Sequence, residues 1–81
     1  MYKIGDFSKM SKTTIKALRY YEKEGLLKPA FIDQYTSYRY YESSQLVDIS
    51  KIISLRQIGL SIKDIKKVLD GQDMSVILNK R

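Results

Sequence analysis

Cysteine, histidine and tryptophan are absent from these 81 residues, and proline occurs once. Without thiols there is no disulfide framework and no thiolate nucleophile. Without imidazole, the commonest metal ligand and the commonest general acid/base at neutral pH are missing too. No apolar run approaches the ~20 residues that a membrane-spanning helix needs. The opening Met1-Tyr2-Lys3-Ile4-Gly5-Asp6 lacks the apolar stretch of a secretory signal. The chain therefore reads as a cytoplasmic domain that is not an enzyme, with no cofactor, no metal and no membrane partner.

What is present is ordinary for a globular domain, with 43% hydrophobic and 30% charged residues, so a disordered chain is excluded. The length fits one domain with a thin core, whose stability is expected to need outside support. Fifteen Lys and Arg against nine Asp and Glu leave a net charge of +6, which favours an anionic partner. The excess is uneven, with eight basic and four acidic residues over 1–41 against seven and five over 42–81. Charge alone leaves a merely solvated basic surface open as the alternative.

Ile4, Phe7 and Met10 recur at helical spacing, Ser11-Lys12 interrupts, and a second apolar pattern follows from about Thr13 to Glu24. Two short helices so close form a helix-turn-helix candidate, the second stopped by Gly25. Around that second helix, Ile15, Leu18 and Glu22 share one side, flanked by Thr14 and Tyr21. Thr13, Lys16, Ala17, Tyr20 and Lys23 lie opposite, a basic face that suits a major groove better than a protein core. Arg19 sits at the border between the two.

Past Pro29, the β-formers of Ala30 to Ile32 and Tyr38 to Tyr41 flank the polar run Asp33-Gln34-Tyr35-Thr36-Ser37, which reads as a hairpin wing. Alternation puts Tyr38 and Tyr40 on one side and Arg39 and Tyr41 on the other. Tyr2-Lys3 is placed to add a third strand, because a lone hairpin is marginal. A third helix should start at a Ser43 or Ser44 cap and run to Ile58, burying Leu46, Ile49, Ile52, Ile53 and Leu55. A fourth should start at Ser61, with Asp64 completing a capping box and Ile62, Ile65, Val68 and Leu69 inward. From Asp73 a fifth helix is expected, with Met74, Ile77 and Leu78 apolar, and with Ile77 and Leu78 read as a partner-helix stripe rather than core.

The blocks Ile4-Gly5-Asp6, Ile15 through Pro29 (I-K-A-L-R-Y-Y-E-K-E-G-L-L-K-P) and Thr36 through Tyr41 (T-S-Y-R-Y-Y) resemble, in order and spacing, the DNA-binding domain of MerR-type transcriptional regulators. The resemblance covers roughly residues 2 to 70, and the second and third blocks look closest to the drug-sensing branch. It implies a mainly α fold with a small β-hairpin wing, a winged helix-turn-helix over residues 1–71. Residues 72–81 would begin a C-terminal dimerisation helix, here truncated. It also implies double-stranded promoter DNA as partner, a homodimer in the full-length protein and distortion of the promoter for RNA polymerase. A small-molecule effector would be bound by a C-terminal domain missing here. An excisionase-like architectural or protein-interaction module of the same fold is the alternative, separable by the reading frame beyond Arg81.

Besides the missing effector domain and most of the dimerisation helix, the sequence departs from the family pattern at Lys12 and Thr13 in the turn and at Gln34-Tyr35 in the wing. Carried over residue by residue, the resemblance puts Lys16 and Tyr20 on DNA, as base-edge or phosphate contacts, against the alternative of a solvated helix face. Arg19 is suited to forking onto a phosphate or guanine edge, with an intrahelical pair to Glu22 as the alternative. Tyr21 either packs or donates to a phosphate. On the wing, Tyr38 is expected at a phosphate, with cross-strand packing as its alternative, and Arg39 at a phosphate or in the minor groove. Tyr40 and Tyr41 are expected mainly to pack. Arg56 matches a family position at the DNA backbone, and Thr13 and Thr14 complete the expected DNA-binding set. Glu22 and Glu24 would repel phosphates and are expected to face away, orienting basic neighbours.

Overall fold

The computed structural model describes residues 1–71. In chain order it contains β1 (Tyr2–Lys3), α1 (Ile4–Ser11), α2 (Ile15–Lys23), β2 (Phe31–Ile32), β3 (Arg39–Tyr41), α3 (Gln45–Gln57) and α4 (Ile62–Leu69). The strands form an antiparallel sheet in the order β1-β3-β2, so the expected third strand is there and it closes the outer edge of β3. The register sets Lys3 opposite Tyr40 and Tyr2 opposite Tyr41, with Phe31 opposite Tyr40 and Ile32 opposite Arg39 on the other side. The expected fifth helix lies outside the described residues.

Helix ends are made by recognisable local chemistry. Thr14 rather than Thr13 caps α2, its hydroxyl accepting from the Ala17 amide at 3.0 Å. At the other end Gly25 takes φ +76°, and the Gly25 and Leu26 amides reach back to the Glu22 and Tyr21 carbonyls at 3.1 and 2.8 Å. That is a Schellman stop, and it needs a residue able to sit in the left-handed region. The same two-bond pattern ends α1, where Lys12 and Thr13 donate to Lys9 and Ser8. There the left-handed position is filled by Lys12 at φ +55°, a side chain that glycine would spare a steric cost. Ser61 caps α4 through the Asp64 amide at 3.1 Å, as expected.

The start of α3 differs from expectation. Ser44 is already helical and makes no side-chain cap. The Gln45, Leu46 and Val47 amides donate instead to the Glu42, Ser43 and Ser44 carbonyls at 3.0, 3.0 and 3.2 Å, while Gln45 Oε1 accepts from the Glu42 amide at 2.9 Å and its Nε2 donates to the Lys28 carbonyl at 2.6 Å. A serine hydroxyl reaches only local amides, whereas the longer amide side chain ties the helix start to the segment leaving α2.

Nine of the described residues are buried and form one core: Phe7, Leu18, Leu26, Leu27, Tyr41, Ile49, Ile52, Leu60 and Ile65. Its centre is the stack of Phe7 on Tyr41, with ring centroids 4.5 Å apart and planes 11° from parallel. Tyr41 therefore ties the wing to α1. Two residues expected inside are outside. Ile15 is 40% exposed because it opens α2 at the turn, before the helix reaches the core, and Met10 is 43% exposed near the end of α1.

Candidate nucleic-acid interface

The second helix of the helix-turn-helix presents Lys16 and Tyr20 to solvent one turn apart, with Tyr20 45% exposed. Leu18 on the opposite side is fully buried, so the projection read from the sequence correctly separates these faces. Tyr21 is half-buried against the core and 6.1 Å from the Tyr20 ring. Packing is thus realised for Tyr21 at least in part. Thr13 and Thr14 both commit their hydroxyls locally: Thr13 Oγ1 donates to the Ser11 carbonyl at 3.1 Å, and Thr14 caps α2.

The wing is held by its own turn. Asp33 Oδ1 accepts from the Tyr35 and Thr36 amides at 2.8 and 3.1 Å. Those bonds, the Thr36 amide first and the Tyr35 amide second, hold the Asp33 carboxyl below its ordinary value. Asp33 and Tyr38 also bond through the main chain at 2.9 Å, and Ser37 takes φ +62°. This geometry sets Tyr38 at the base of the turn, 53% exposed, where the Lys3 ammonium lies 5.1 Å from its ring centroid. Tyr38 does not take up the cross-strand packing that Tyr40 shows against Phe31, where the centroids are 6.0 Å apart.

Arg39 is already engaged. Its Nε donates to Glu22 Oε1 at 2.6 Å and its Nη2 to Oε2 at 3.4 Å, with both side chains more than two-thirds buried. The carboxylate's hydrogen bond, reinforced by its charge, raises the guanidinium above its ordinary value. This is the ion pair found among the described residues, and it clips β3 to α2. The intrahelical Arg19–Glu22 pair considered as an alternative does not form, because Glu22 belongs to Arg39.

Arg19, Tyr38 and Arg39 meet around one cleft of about 370 Å³, whose remaining wall is Lys3, the first residues of α1 and Ser37. Lys16 and Tyr20 lie along α2 outside this cleft, and Arg56, exposed in the last turn of α3, is not part of it. Two members of the arrangement were missed as site residues in the sequence. From the sequence, Lys3 reads only as a strand former, and Glu22 is expected to orient basic neighbours, with Arg19 rather than Arg39 as the partner considered. Neither had a local signal, since Glu22 and Arg39 are 17 residues apart and Lys3 reaches the wing only through the β1–β3 register.

The model of the MerR HTH family regulatory protein matches residues 2–72. The multidrug-efflux transporter 1 regulator of Bacillus subtilis (strain 168) is 51% identical over 69 residues, which are 85% of this chain and 25% of that protein. The transcriptional regulator SkgA of Caulobacter vibrioides is 31% identical over 80 residues, or 31% of its length. The chain thus spans between a quarter and a third of these relatives. Among solved structures, the cryo-EM structure of the EcmrR-DNA complex in EcmrR-RPo superimposes with a TM-score of 0.88 at 44% identity, covering 98% of this chain and 30% of that one. The N-terminus of MtaN, the Bacillus subtilis multidrug transporter activator, gives 0.82 at 26% identity over 99% of this chain and 76% of that one. Because the match runs from β1 through the helix-turn-helix and the wing to the end of α4, the chain belongs to the MerR helix-turn-helix family of regulatory proteins.

Proposed function

We propose that this chain is the DNA-binding portion of a transcriptional regulator, with α2 entering the major groove and the wing gripping the flanking backbone. The observation that carries the reading is the joining of the α2 arginine, Arg19, with the wing residues Tyr38 and Arg39 around one basic cleft beside the exposed Lys16–Tyr20 face. The likeness at 44% identity to a protein solved in a DNA complex supports it.

In this reading Lys16 and Tyr20 meet base edges or nearby phosphates, and Arg19, Tyr38, Arg39 and Arg56 meet the backbone. Thr13 and Thr14 act mainly by shaping the turn that presents α2, through backbone groups and the cap. Tyr21 supports α2 from beneath and offers its hydroxyl at the rim. The whole protein would be a homodimer joined through a helix beginning in residues 72–81. It would act on promoter DNA together with RNA polymerase, under control of a small molecule bound by a further domain. The 51% likeness to a multidrug-efflux regulator favours an efflux gene as target and a drug-like effector.

Titrating a fluorescent duplex with the chain at increasing salt tests the core of this reading. Each phosphate contact should add about 0.9 to the slope of log K against log salt, so several contacts give a steep fall. A flat response would refute DNA binding. Lys16 and Tyr20 variants should relax base preference, and Tyr38 and Arg56 variants should weaken all sequences alike.

A further inference from the structure

We infer that the tip of the wing is a protein-docking surface rather than a grip on DNA, and that its occupant is a basic segment of the RNA polymerase standing on the adjoining duplex. This rests on the DNA-binding reading above and goes beyond it, because the wing contacts proposed there, Tyr38 and Arg39, lie at the base of the hairpin.

The tip differs in chemistry from the rest of the chain. Residues 29–38 hold none of the fifteen Lys and Arg, and their charged residue is Asp33. Its carboxyl is held below the ordinary value by the turn amides, so the tip is anionic at neutral pH. The cations of the wing stand at its base, where Arg39 opens β3 and Lys3 lies against Tyr38. Phe31, Ile32 and Tyr35 are 47%, 45% and 89% exposed. With Asp33 and Gln34 they line a hollow of about 310 Å³, along the strand that forms one edge of the sheet. Large apolar side chains gathered in this way mark an interaction site, whereas an ordinary surface scatters them singly.

The patch is also ordered before any partner arrives. Besides the two amides that Asp33 Oδ1 accepts from, the Ser37 amide reaches the Asp33 carbonyl at 2.7 Å and the Tyr38 amide donates to Thr36 Oγ1 at 3.2 Å. A turn fixed in this way has little freedom left to lose on binding. Tyrosine is, besides, one of the side chains that dominate interface energetics.

Charge decides between duplex and protein. Inserting Tyr35 into a minor groove would carry the Asp33 carboxylate towards two rows of phosphate, with no tip cation to offset it. A protein engaged with the neighbouring duplex presents lysine and arginine there. Their charged heads and apolar stems complement an anionic, apolar hollow. RNA polymerase is the protein that the proposed function sets on the same promoter. A second copy of this chain would bring another +6 against the first, which suits it less.

The test uses the 81-residue chain, a duplex carrying a site selected with that chain between promoter elements, and purified RNA polymerase holoenzyme. Tyr35 is replaced by the photoreactive p-benzoylphenylalanine, and Val47, exposed on α3, is replaced likewise as a control. Irradiating the ternary complex should join the Tyr35 position, and not the Val47 position, to a polymerase subunit. In titrations, polymerase should tighten binding of the wild-type chain to the duplex, and Tyr35→Ser should remove at least about fivefold of that gain. Because the ring is 89% exposed, Tyr35→Ser should leave melting and binding to the duplex alone unchanged. Asp33→Asn keeps an oxygen acceptor for the turn amides; it should lose part of the gain, less so as salt rises.

A cross-link to DNA, or weaker binding of Tyr35→Ser to the duplex alone, overturns docking in favour of minor-groove insertion. A cross-link to a second copy assigns the tip to self-association and removes polymerase as its occupant. The surface fails altogether if the Tyr35 yield is no higher than that at Val47, if polymerase gives the wild-type chain no gain, or if Tyr35→Ser retains the gain. A gain that Asp33→Asn keeps in full refutes the charge complementarity. All of these leave the DNA-binding reading standing; a flat wild-type salt response on the duplex is the result that removes both.

Discussion

Replacing Tyr41 with phenylalanine should stabilise this domain. The Tyr41 side chain is fully buried, and its hydroxyl is the buried side-chain polar atom that lacks a hydrogen-bond partner among the described residues. Taking a hydroxyl out of water without a partner costs about 1–3 kcal/mol. Phenylalanine removes that cost and retains the ring that stacks on Phe7 at 4.5 Å. The void left by one oxygen, at about 24 cal/mol per Å³, returns only a few tenths of a kcal/mol. The expected net gain is about 1–2 kcal/mol, which for a domain of this size raises Tm by about 4–8 °C per kcal/mol. Urea and thermal unfolding followed by circular dichroism measure it.

The same substitution has an alkaline signature. Burial, with the Glu22 carboxylate adding to it and the Arg39 and Arg19 charges opposing, holds the Tyr41 phenol above its ordinary 10.0. A raised folded-state value favours the neutral form. Its stabilising contribution is therefore complete below pH 10 and is lost as pH rises from there towards the folded value. Tyr41→Phe should lack that loss, so its advantage over wild type should widen above pH 10. A destabilisation of more than about 1 kcal/mol, or a constant difference across the alkaline range, would refute the unpartnered hydroxyl.

Lys12 and Gly25 occupy equivalent places at the ends of α1 and α2, so opposite substitutions should have opposite signs. Lys12→Gly relieves about 1–2 kcal/mol of left-handed strain and adds about 0.5–1 kcal/mol of chain entropy cost, for a net gain near 0.5–1 kcal/mol in urea unfolding. Gly25→Ala should lose at least about 1 kcal/mol, because φ is +76° and the new Cβ would stand 3.2 Å from Lys66 Nζ; an unchanged midpoint would contradict that backbone geometry. Ser61→Ala should cost about 1 kcal/mol by removing the cap at the Asp64 amide, and Ser61→Asp should restore most of it. Asp33 is held below its ordinary 3.8, so the order it gives the wing turn is present above that value and lost as pH falls through the lower folded value. Carboxyl NMR titration should show this, and the Tyr35 and Thr36 amide shifts should follow the same curve.

Much of the architecture is written locally. Short-range periodicity located all four described helices, and turn chemistry located the wing, because burial of Leu18, Ile49, Ile52 and Ile65 follows from spacing alone. The family blocks named the positions proposed to face DNA, since they carry residue types at fixed separations. The failures came where a distant neighbour decides. Ile15 matched the inward pattern but opens its helix at the turn, and the serines before α3 matched a side-chain cap that does not form, the helix start being tied instead by Gln45 to the Lys28 carbonyl.

By itself the sequence determined the helices, their stops, the exposed Lys16–Tyr20 face and the kinship with MerR regulators, all encoded within a few turns or in contiguous blocks. Only the tertiary structure decided that Glu22 serves Arg39 rather than Arg19, that the Lys3 ammonium stands over the Tyr38 ring, and that Arg19, Tyr38 and Arg39 share one cleft. Those choices depend on strand register and on how the sheet leans against α1 and α2. Neither is specified by the residues of any single segment, because each strand is only two or three residues long and owes its pairing to the core built around Phe7 and Tyr41.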